Sequence, residues 1–142
     1  MEVMVVIGII GIMITIIMST SVGQLEKSRL RKTQADLSSM KAALDIYAME
    51  EGSGKYPESG AVVKTAMETQ GIDWETCRDG WAKPYKYYLN EDDHTKYYLL
   101  SAGSKGTPDN DDDLFVSEKQ TPVQGKPDSL DDYGHVCDSE KG

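Results

Sequence analysis

The N-terminal stretch, residues 1–22, constrains this chain most, because it is apolar almost throughout. Its only charged side chain is Glu2, and between Val3 and Met18 its only polar side chain is Thr15. A helix rises about 1.5 Å per residue, so about 20 such residues cross the hydrocarbon core of a bilayer. The stretch therefore predicts a transmembrane or self-packing helix over residues 1–23, ahead of a polar domain over residues 24–142.

Three interpretations of this stretch compete. A cleaved secretory signal begins with basic residues, whereas the first Lys or Arg here is Lys27. The second interpretation is a simple membrane anchor, for which the hydrophobicity of the stretch is sufficient. A helix that packs against other helices explains more, because an ionisable group such as Glu2 is costly in a span unless it meets a partner. Gly8 and Gly11 also remove side-chain bulk where helices approach closely in lipid.

The polar domain has roughly 120 residues, enough for one small hydrophobic core. The chain carries a net charge of −9, and 13 Asp or Glu but only 5 Lys lie between Asn90 and Gly142. Binding to nucleic acid needs clustered cations, so this distribution argues against a nucleic-acid partner for the C-terminal part.

An amphipathic helix is predicted over residues 24–51. Its apolar side chains recur with a period near 3.6, which is typical of a helix that buries one face. The residues on that face are Leu30, Ala35, Leu37, Met40, Ala43, Leu44, Tyr47 and Ala48. No proline interrupts residues 1–56, so this segment and residues 1–23 are expected to form one helix of about 50 residues.

Beyond this helix the pattern changes to short elements. The segment 52–60 is rich in Gly and Pro and ends the helix, and residues 61–70 suit a second short helix. Two Tyr-rich runs, 85–89 and 96–100, predict a β-hairpin. Its tyrosines are expected to pack on the long helix, with a Tyr-rich ligand platform as the alternative. The fold class is therefore α+β, with a long N-terminal helix on a small antiparallel sheet.

Two cysteines, Cys77 and Cys137, permit one disulfide if the chain is exported. Such a bridge closes a loop of about 60 residues and contributes about 4 kcal/mol by the chain-entropy estimate. Two free thiols are the alternative. The histidines add neither CxxC nor HxxxH spacing, which argues against a zinc site.

An acidic loop, residues 101–114, follows the second β-like run. Its carboxylates are Asp109, Asp111, Asp112 and Asp113. A hard cation such as Ca²⁺ takes six to eight oxygen ligands from carboxylates and carbonyls. The composition alone, however, favours a solvated acidic loop. The remaining stretch, the C-terminal extension 115–142, is rich in Pro, Gly and acids and is expected to be loop or linker.

Four segments of the chain carry a family resemblance. They are EVMVVIGII at 2–10, ALDIY at 43–47 with KYP at 55–57, DGWAKPYKY at 79–87, and YLLSAG at 98–103. Together they resemble the type IV pilin-like family, and within it most closely the major pseudopilins of type II secretion. The third segment departs from that pattern at Gly80, where those proteins have proline.

The resemblance implies a filament subunit without catalytic activity. Its expected partners are copies of itself, minor pseudopilins or pilins, an inner-membrane assembly platform and a prepilin peptidase. Glu2 is then expected to neutralise a positive group on a neighbouring copy. The expected location is the bacterial inner membrane with a periplasmic domain, and after assembly a periplasmic or cell-surface filament.

Two other function classes compete with a secretion filament. A subunit of a surface pilus for adhesion, motility or extracellular contact shares the architecture. An anchored enzyme is disfavoured, because the chain has no GxSxG or HExxH motif and only two isolated histidines.

The resemblance also implies a structural calcium ion in the acidic loop. The implied ligands are the carbonyl of Ala102 and the carboxylates of Asp111 and Asp113, with Asp109 and Asp112 added as candidates from carboxylate chemistry. Lys105 departs from the family pattern, since it places a cation where those proteins have an aspartate.

Overall fold

The computed structural model describes residues 2–107, 112–128 and 130–139, and within a helix it describes residues 14–22 by their backbone alone. Helix α1 spans Glu2–Glu50 and contains 49 residues. At the rise of an α-helix it is about 74 Å long. The prediction of one long helix is therefore confirmed.

The first part of α1 extends away from the rest of the protein, and its side chains up to Met13 are exposed. Within the portion of the chain that the structure describes, no helix is both long enough and apolar enough to cross a membrane. The span predicted over residues 1–23 includes residues 14–22, whose side chains lie outside the described residues.

The second part of α1 supplies one wall of the hydrophobic core. Its most buried side chains, each at most 1% exposed, are Leu37, Met40, Ala43 and Leu44. Leu30 packs against the same core while partly exposed. Ala35, which was predicted on this face, is exposed, because the buried stripe is narrower than the sequence pattern indicated.

Helix α2 spans Gly60–Thr69 and packs on α1. Ser59 caps it, because its side-chain oxygen accepts a hydrogen bond from the Val62 amide at 3.4 Å. Val63 and Met67 are fully buried in the common core. The prediction of a short second helix is confirmed, with its start one residue earlier than expected.

A five-stranded antiparallel sheet forms the other wall of the core, in the order β4-β3-β2-β1-β5. Its strands are β1 Lys86–Asn90, β2 Tyr97–Ser101, β3 Leu114–Ser117, β4 Val123–Gln124 and β5 Tyr133–Asp138. The predicted hairpin is β1 and β2, and each strand begins one residue later than expected.

The tyrosines of this region divide between the two faces of the sheet. Those on the helix-facing side, fully buried in the core, are Tyr85, Tyr87 and Tyr97. The Tyr85 hydroxyl donates to Asp36 of α1 at 2.8 Å. The expectation that tyrosines pack on the long helix is thus confirmed for these three. On the other face Tyr98 packs against Tyr133, with ring centroids 4.6 Å apart and the ring planes tilted by 52°.

The expectation of loop or linker over residues 115–142 is wrong for much of that segment. Strand β3 belongs to it in part, β4 pairs with β3, and β5 pairs with β1 at the opposite edge of the sheet. Strand β5, YGHVCD, has no clear alternation of apolar and polar residues. It is a strand because β1 offers it an edge, and such tertiary pairing overrides local sequence preference.

The end of the described chain is held by a buried polar clamp around Ser139. The Ser139 amide donates to the Tyr85 carbonyl at 2.8 Å. Its hydroxyl donates to the Cys77 carbonyl at 2.8 Å and accepts from the Tyr85 amide at 2.7 Å. The Arg78 guanidinium also donates to the Ser139 carbonyl. These hydrogen bonds fix the tail to the Cys77 region.

Replacing Ser139 with Ala should therefore destabilise the domain. The change leaves the buried Tyr85 amide without its hydrogen-bond acceptor, at a cost of about 1–3 kcal/mol, while the Cys77 carbonyl keeps the Arg78 guanidinium as a donor. Urea unfolding of the two proteins in the same detergent measures the difference. Ser38→Ala, on the exposed side of α1, is the matched control and should change the free energy of unfolding little.

A second clamp fixes the 79–87 segment to α1. The Gly80 amide donates to the Thr33 hydroxyl at 2.9 Å, and that hydroxyl donates to the Arg29 carbonyl at 2.9 Å. A Cβ on Gly80 would lie 2.4 Å from the Arg29 carbonyl oxygen. Glycine is therefore required by close approach, and a proline here would lack the amide hydrogen that Thr33 accepts.

Gly80→Ala should push the segment away from α1 and lower the free energy of unfolding by about 1–3 kcal/mol. Gly23→Ala is the control, because a Cβ there meets no described atom within 4 Å and alanine favours the helix. Equal unfolding curves for the two variants would contradict the close contact.

Candidate functional site

The exposed start of α1 is the most unusual surface of the structure. Its exposed side chains include Val3 at 71%, Met4 at 81% and Ile7 at 64%. Contiguous apolar surface of this kind marks a site that contacts protein or membrane. The geometry therefore agrees with a helix that works in contact with lipid or with other helices.

The predicted assembly residues lie on this surface. Glu2 is the first residue of α1 and is exposed. A Cβ built on Gly8 or Gly11 meets no described atom within 4 Å. These two glycines are three residues apart, so they are neighbours on one side of the helix and leave a shallow place where another helix can approach.

The acidic loop begins with a compact turn after β2. The Gly106 amide donates to the Ala102 carbonyl at 3.1 Å. The Gly103 amide donates to the buried Ser101 hydroxyl at 3.3 Å. These bonds give residues 101–107 a defined shape, with Ala102 only 2% exposed.

Asp112 returns to this turn from the other end of the loop. Its Oδ2 accepts hydrogen bonds from the Ser104 hydroxyl and the Lys105 amide, both at 3.1 Å. Its Oδ1 is buried and has no hydrogen-bond partner among the described residues. Lys105 thus contributes its backbone to this contact while the residue itself is exposed.

These contacts shift the acidity of Asp112. Burial acts to raise the pKa of Asp112, but hydrogen bonds from the Lys105 amide and the Ser104 hydroxyl outweigh it, and the pKa lies below its ordinary value of 3.8. The ionised Asp112 carboxylate therefore stabilises the folded state fully above pH 3.8. This contribution to the free energy of unfolding is lost as the pH falls through the lower pKa of the folded state. At neutral pH Asp112 is an ionised anchor for the turn.

The structure describes only some of the other predicted calcium ligands. Asp113 is fully buried just before β3, and its carbonyl accepts a hydrogen bond from the Gly125 amide at 2.8 Å. Asp109 and Asp111 lie outside the described residues. In the described ranges no group of three His, Cys, Asp or Glu side chains is arranged to hold a metal. The structure therefore brings Asp112, but not a full ligand set, to the turn at Ala102.

Two residues of this region were missed by sequence reasoning. The Lys83 ammonium donates to the Ser104 carbonyl at 2.8 Å and to the Gly103 carbonyl at 3.4 Å. Asp79 is 3% exposed, and its Oδ2 accepts a hydrogen bond from the Ser101 hydroxyl at 2.6 Å. Both lie in the DGWAKPYKY segment, but no local pattern in it indicates a contact with the loop, because only the fold brings the two together.

The two cysteines are free thiols in the structure, and the predicted disulfide is not formed there. Both pack against the hydrophobic core while partly exposed. Burial raises the pKa of the Cys137 thiol to about 12, with a further contribution from Asp138 and an opposing hydrogen bond from Trp74. Burial also raises the pKa of the Cys77 thiol.

The reduced native protein should therefore be alkylated slowly at pH 8. A raised pKa leaves little thiolate, so we expect labelling at least about tenfold slower than in urea-unfolded protein. Intact-mass analysis after a timed iodoacetamide pulse measures this. The same analysis without reductant tests the disulfide, because a bridge lowers the mass by two hydrogens and blocks labelling.

The architecture defines a class of protein. A long N-terminal helix, packed through its second half on an antiparallel sheet and exposed through its first part, is the arrangement of the type IV pilin-like proteins. The sequence model of the family described as "Type II secretion system (T2SS), protein G" matches residues 20–117. The chain belongs to this family.

Curated relatives agree with this assignment. The chain is 27% identical over 126 residues to the type II secretion system core protein G of Pectobacterium carotovorum subsp. carotovorum, which covers 80% of this chain and 79% of that protein. It is 28% identical over 126 residues to the protein of the same name from Escherichia coli K12, covering 80% and 85%. It is 29% identical over 126 residues to the type II secretion system core protein G of Dickeya chrysanthemi, and this match covers 80% of each of the two chains. No solved structure matches the chain significantly.

Proposed function

We propose that this chain is a major pseudopilin, which polymerises through helix α1 into the filament of a type II secretion system. The observation that carries the proposal is the apolar start of α1, whose side chains up to Met13 are exposed in the monomer. Burying this surface among neighbouring copies removes it from water or lipid and lets the glycine positions come into close contact. Family membership and the names of the relatives support the same function.

Glu2 sets the register of this packing in the proposal. A carboxylate buried among apolar helices is strongly unfavourable unless it meets a positive group. Copies of the chain that pack with Glu2 opposite such a group are therefore favoured over copies shifted along the helix. The role of the subunit is structural, and its growth into a filament moves secreted protein outward.

Glu2→Gln should reduce assembly far more than folding. The amide keeps the shape but removes the charge, so we expect at least a tenfold loss of sedimentable filaments, on the order of the few kcal/mol that a buried charge pair is worth. Glu50→Gln, an exposed acid at the other end of α1, is the matched control and should assemble normally. Wild-type filament yield in the Glu2 variant, seen by electron microscopy, would refute the register role.

The location and partners follow from this function. Before assembly the chain is held in the inner membrane by α1 with its globular domain in the periplasm. Its contacts are then copies of itself, minor pseudopilins, the assembly platform and the prepilin peptidase. A secretion defect without loss of surface adhesion in cells lacking the chain supports the secretion filament over a surface pilus.

We further propose that the acidic loop holds a structural calcium ion. Asp112 supports this, since its buried Oδ1 is an anionic oxygen without a donor among the described residues. The residues that would hold the ion are the carbonyl of Ala102 and the carboxylates of Asp112 and Asp113, joined by Asp109 and Asp111. Calcium supplies charge balance for these carboxylates and links the two ends of the loop.

Calcium removal should lower the melting temperature. At 100 times its dissociation constant, a bound ion stabilises the folded state by about 2.7 kcal/mol. Differential scanning calorimetry in Ca²⁺, in Mg²⁺ and in EDTA measures the effect, and Asp112→Asn should reduce it. The same melting temperature in Ca²⁺ and EDTA would exclude the structural ion.

A further inference from the structure

The Lys83 side chain meets the acidic loop in a way that no feature of the sequence predicts. Its ammonium lies 2.8 Å from the Ser104 carbonyl oxygen and 3.4 Å from the Gly103 carbonyl oxygen. Two carbonyls converging on one cation is also how a metal ion is held by backbone oxygens. We infer that Lys83 is the internal cation of this loop, a positioning residue that keeps the turn at 101–107 folded without a metal.

Gly106 leaves the space that the Lys83 ammonium occupies. A Cβ on Gly106 would lie 2.5 Å from the Lys83 nitrogen, so the ammonium fits here because residue 106 has no side chain. The backbone of Gly106 has a φ of +76°, a conformation that glycine adopts most easily. Gly106 thus serves the turn and the lysine together.

The buried carboxylate of Asp79 binds both the segment that carries Lys83 and the start of the acidic loop. Asp79 Oδ1 accepts a hydrogen bond from the Lys83 amide at 2.9 Å, which fixes the base of the lysine. Asp79 Oδ2 accepts from the Ser101 hydroxyl at 2.6 Å, which fixes the start of the loop. Because one carboxylate fixes both, the ammonium and the carbonyls are positioned before they meet, and little further order is lost on contact.

The charges of the loop explain why an internal cation is useful. Asp112 places a carboxylate against the same turn, where it bonds Ser104 and Lys105. Carbonyl oxygens that face one point repel one another unless a positive group lies between them. Lys83 brings a positive charge to the Gly103 and Ser104 carbonyls from outside the loop.

Amide hydrogen exchange in EDTA tests the inference. The reporters are the amides of Gly103 and Gly106, which donate hydrogen bonds within the turn, and the amide of Lys105, which donates to Asp112. Lys83→Met removes the charge and keeps the chain length, and it should speed exchange of these three amides about tenfold or more. Lys83→Arg, which keeps the charge, should restore most of the protection.

Lys119→Met is the control, since it removes the same charge from an exposed residue elsewhere in the domain. It should leave the three amides unchanged. The inference is overturned if Lys83→Met leaves their exchange at the wild-type rate, if it speeds exchange equally in strands β1 and β2, or if Lys83→Arg exchanges as fast as Lys83→Met.

The same exchange experiment in Ca²⁺ tests the proposed metal site separately. The inference about Lys83 does not rest on that site. Slower exchange of wild-type protein in Ca²⁺ than in EDTA supports the metal site. Equal exchange in the two conditions counts against that site, while the comparison of Lys83 variants in EDTA still decides the role of the lysine.

Discussion

The structure depends on one helix whose two parts have different surroundings. The face of α1 that carries Leu37, Met40 and Leu44 is covered by the sheet and α2, whereas the side chains up to Met13 are exposed. Isolated helices gain little stability from propensity, and a packed face supplies most of it. The second half of α1 obtains that packing within the monomer. In the proposed function the first part obtains it from lipid or from other copies, and this difference underlies the proposal of a filament.

The globular domain is completed by the segment that lies beyond the family match. The matched region ends at residue 117, yet β4 and β5 follow it and pair with both edges of the three-stranded core of the sheet. Strand β5 therefore pairs the backbone groups that β1 would otherwise leave open at this side of the sheet. The clamp at Ser139 holds this closure to the same segment that contacts α1.

Local patterns predicted the helices and the hairpin well, because those elements are set by residues close together in sequence. The spacing of Leu37 and Leu44 identified the buried face of α1, and the Tyr-rich runs identified β1 and β2 within one residue. Strand β5 was missed because it depends on β1, which lies more than 40 residues earlier in the chain. Lys83 was missed for the same reason, since only the fold brings its ammonium to Ser104. The calcium ligands and the Cys77–Cys137 bridge remain predictions.

The most direct test of the central claim is a helical reconstruction, by electron cryomicroscopy, of filaments sheared from cells that make this chain. The account predicts that α1 lies at the filament centre, with its residues up to Met13 covered by neighbouring copies and Glu2 beside a positive group. Filaments joined through the globular domains alone, with that part of α1 still exposed, would contradict it.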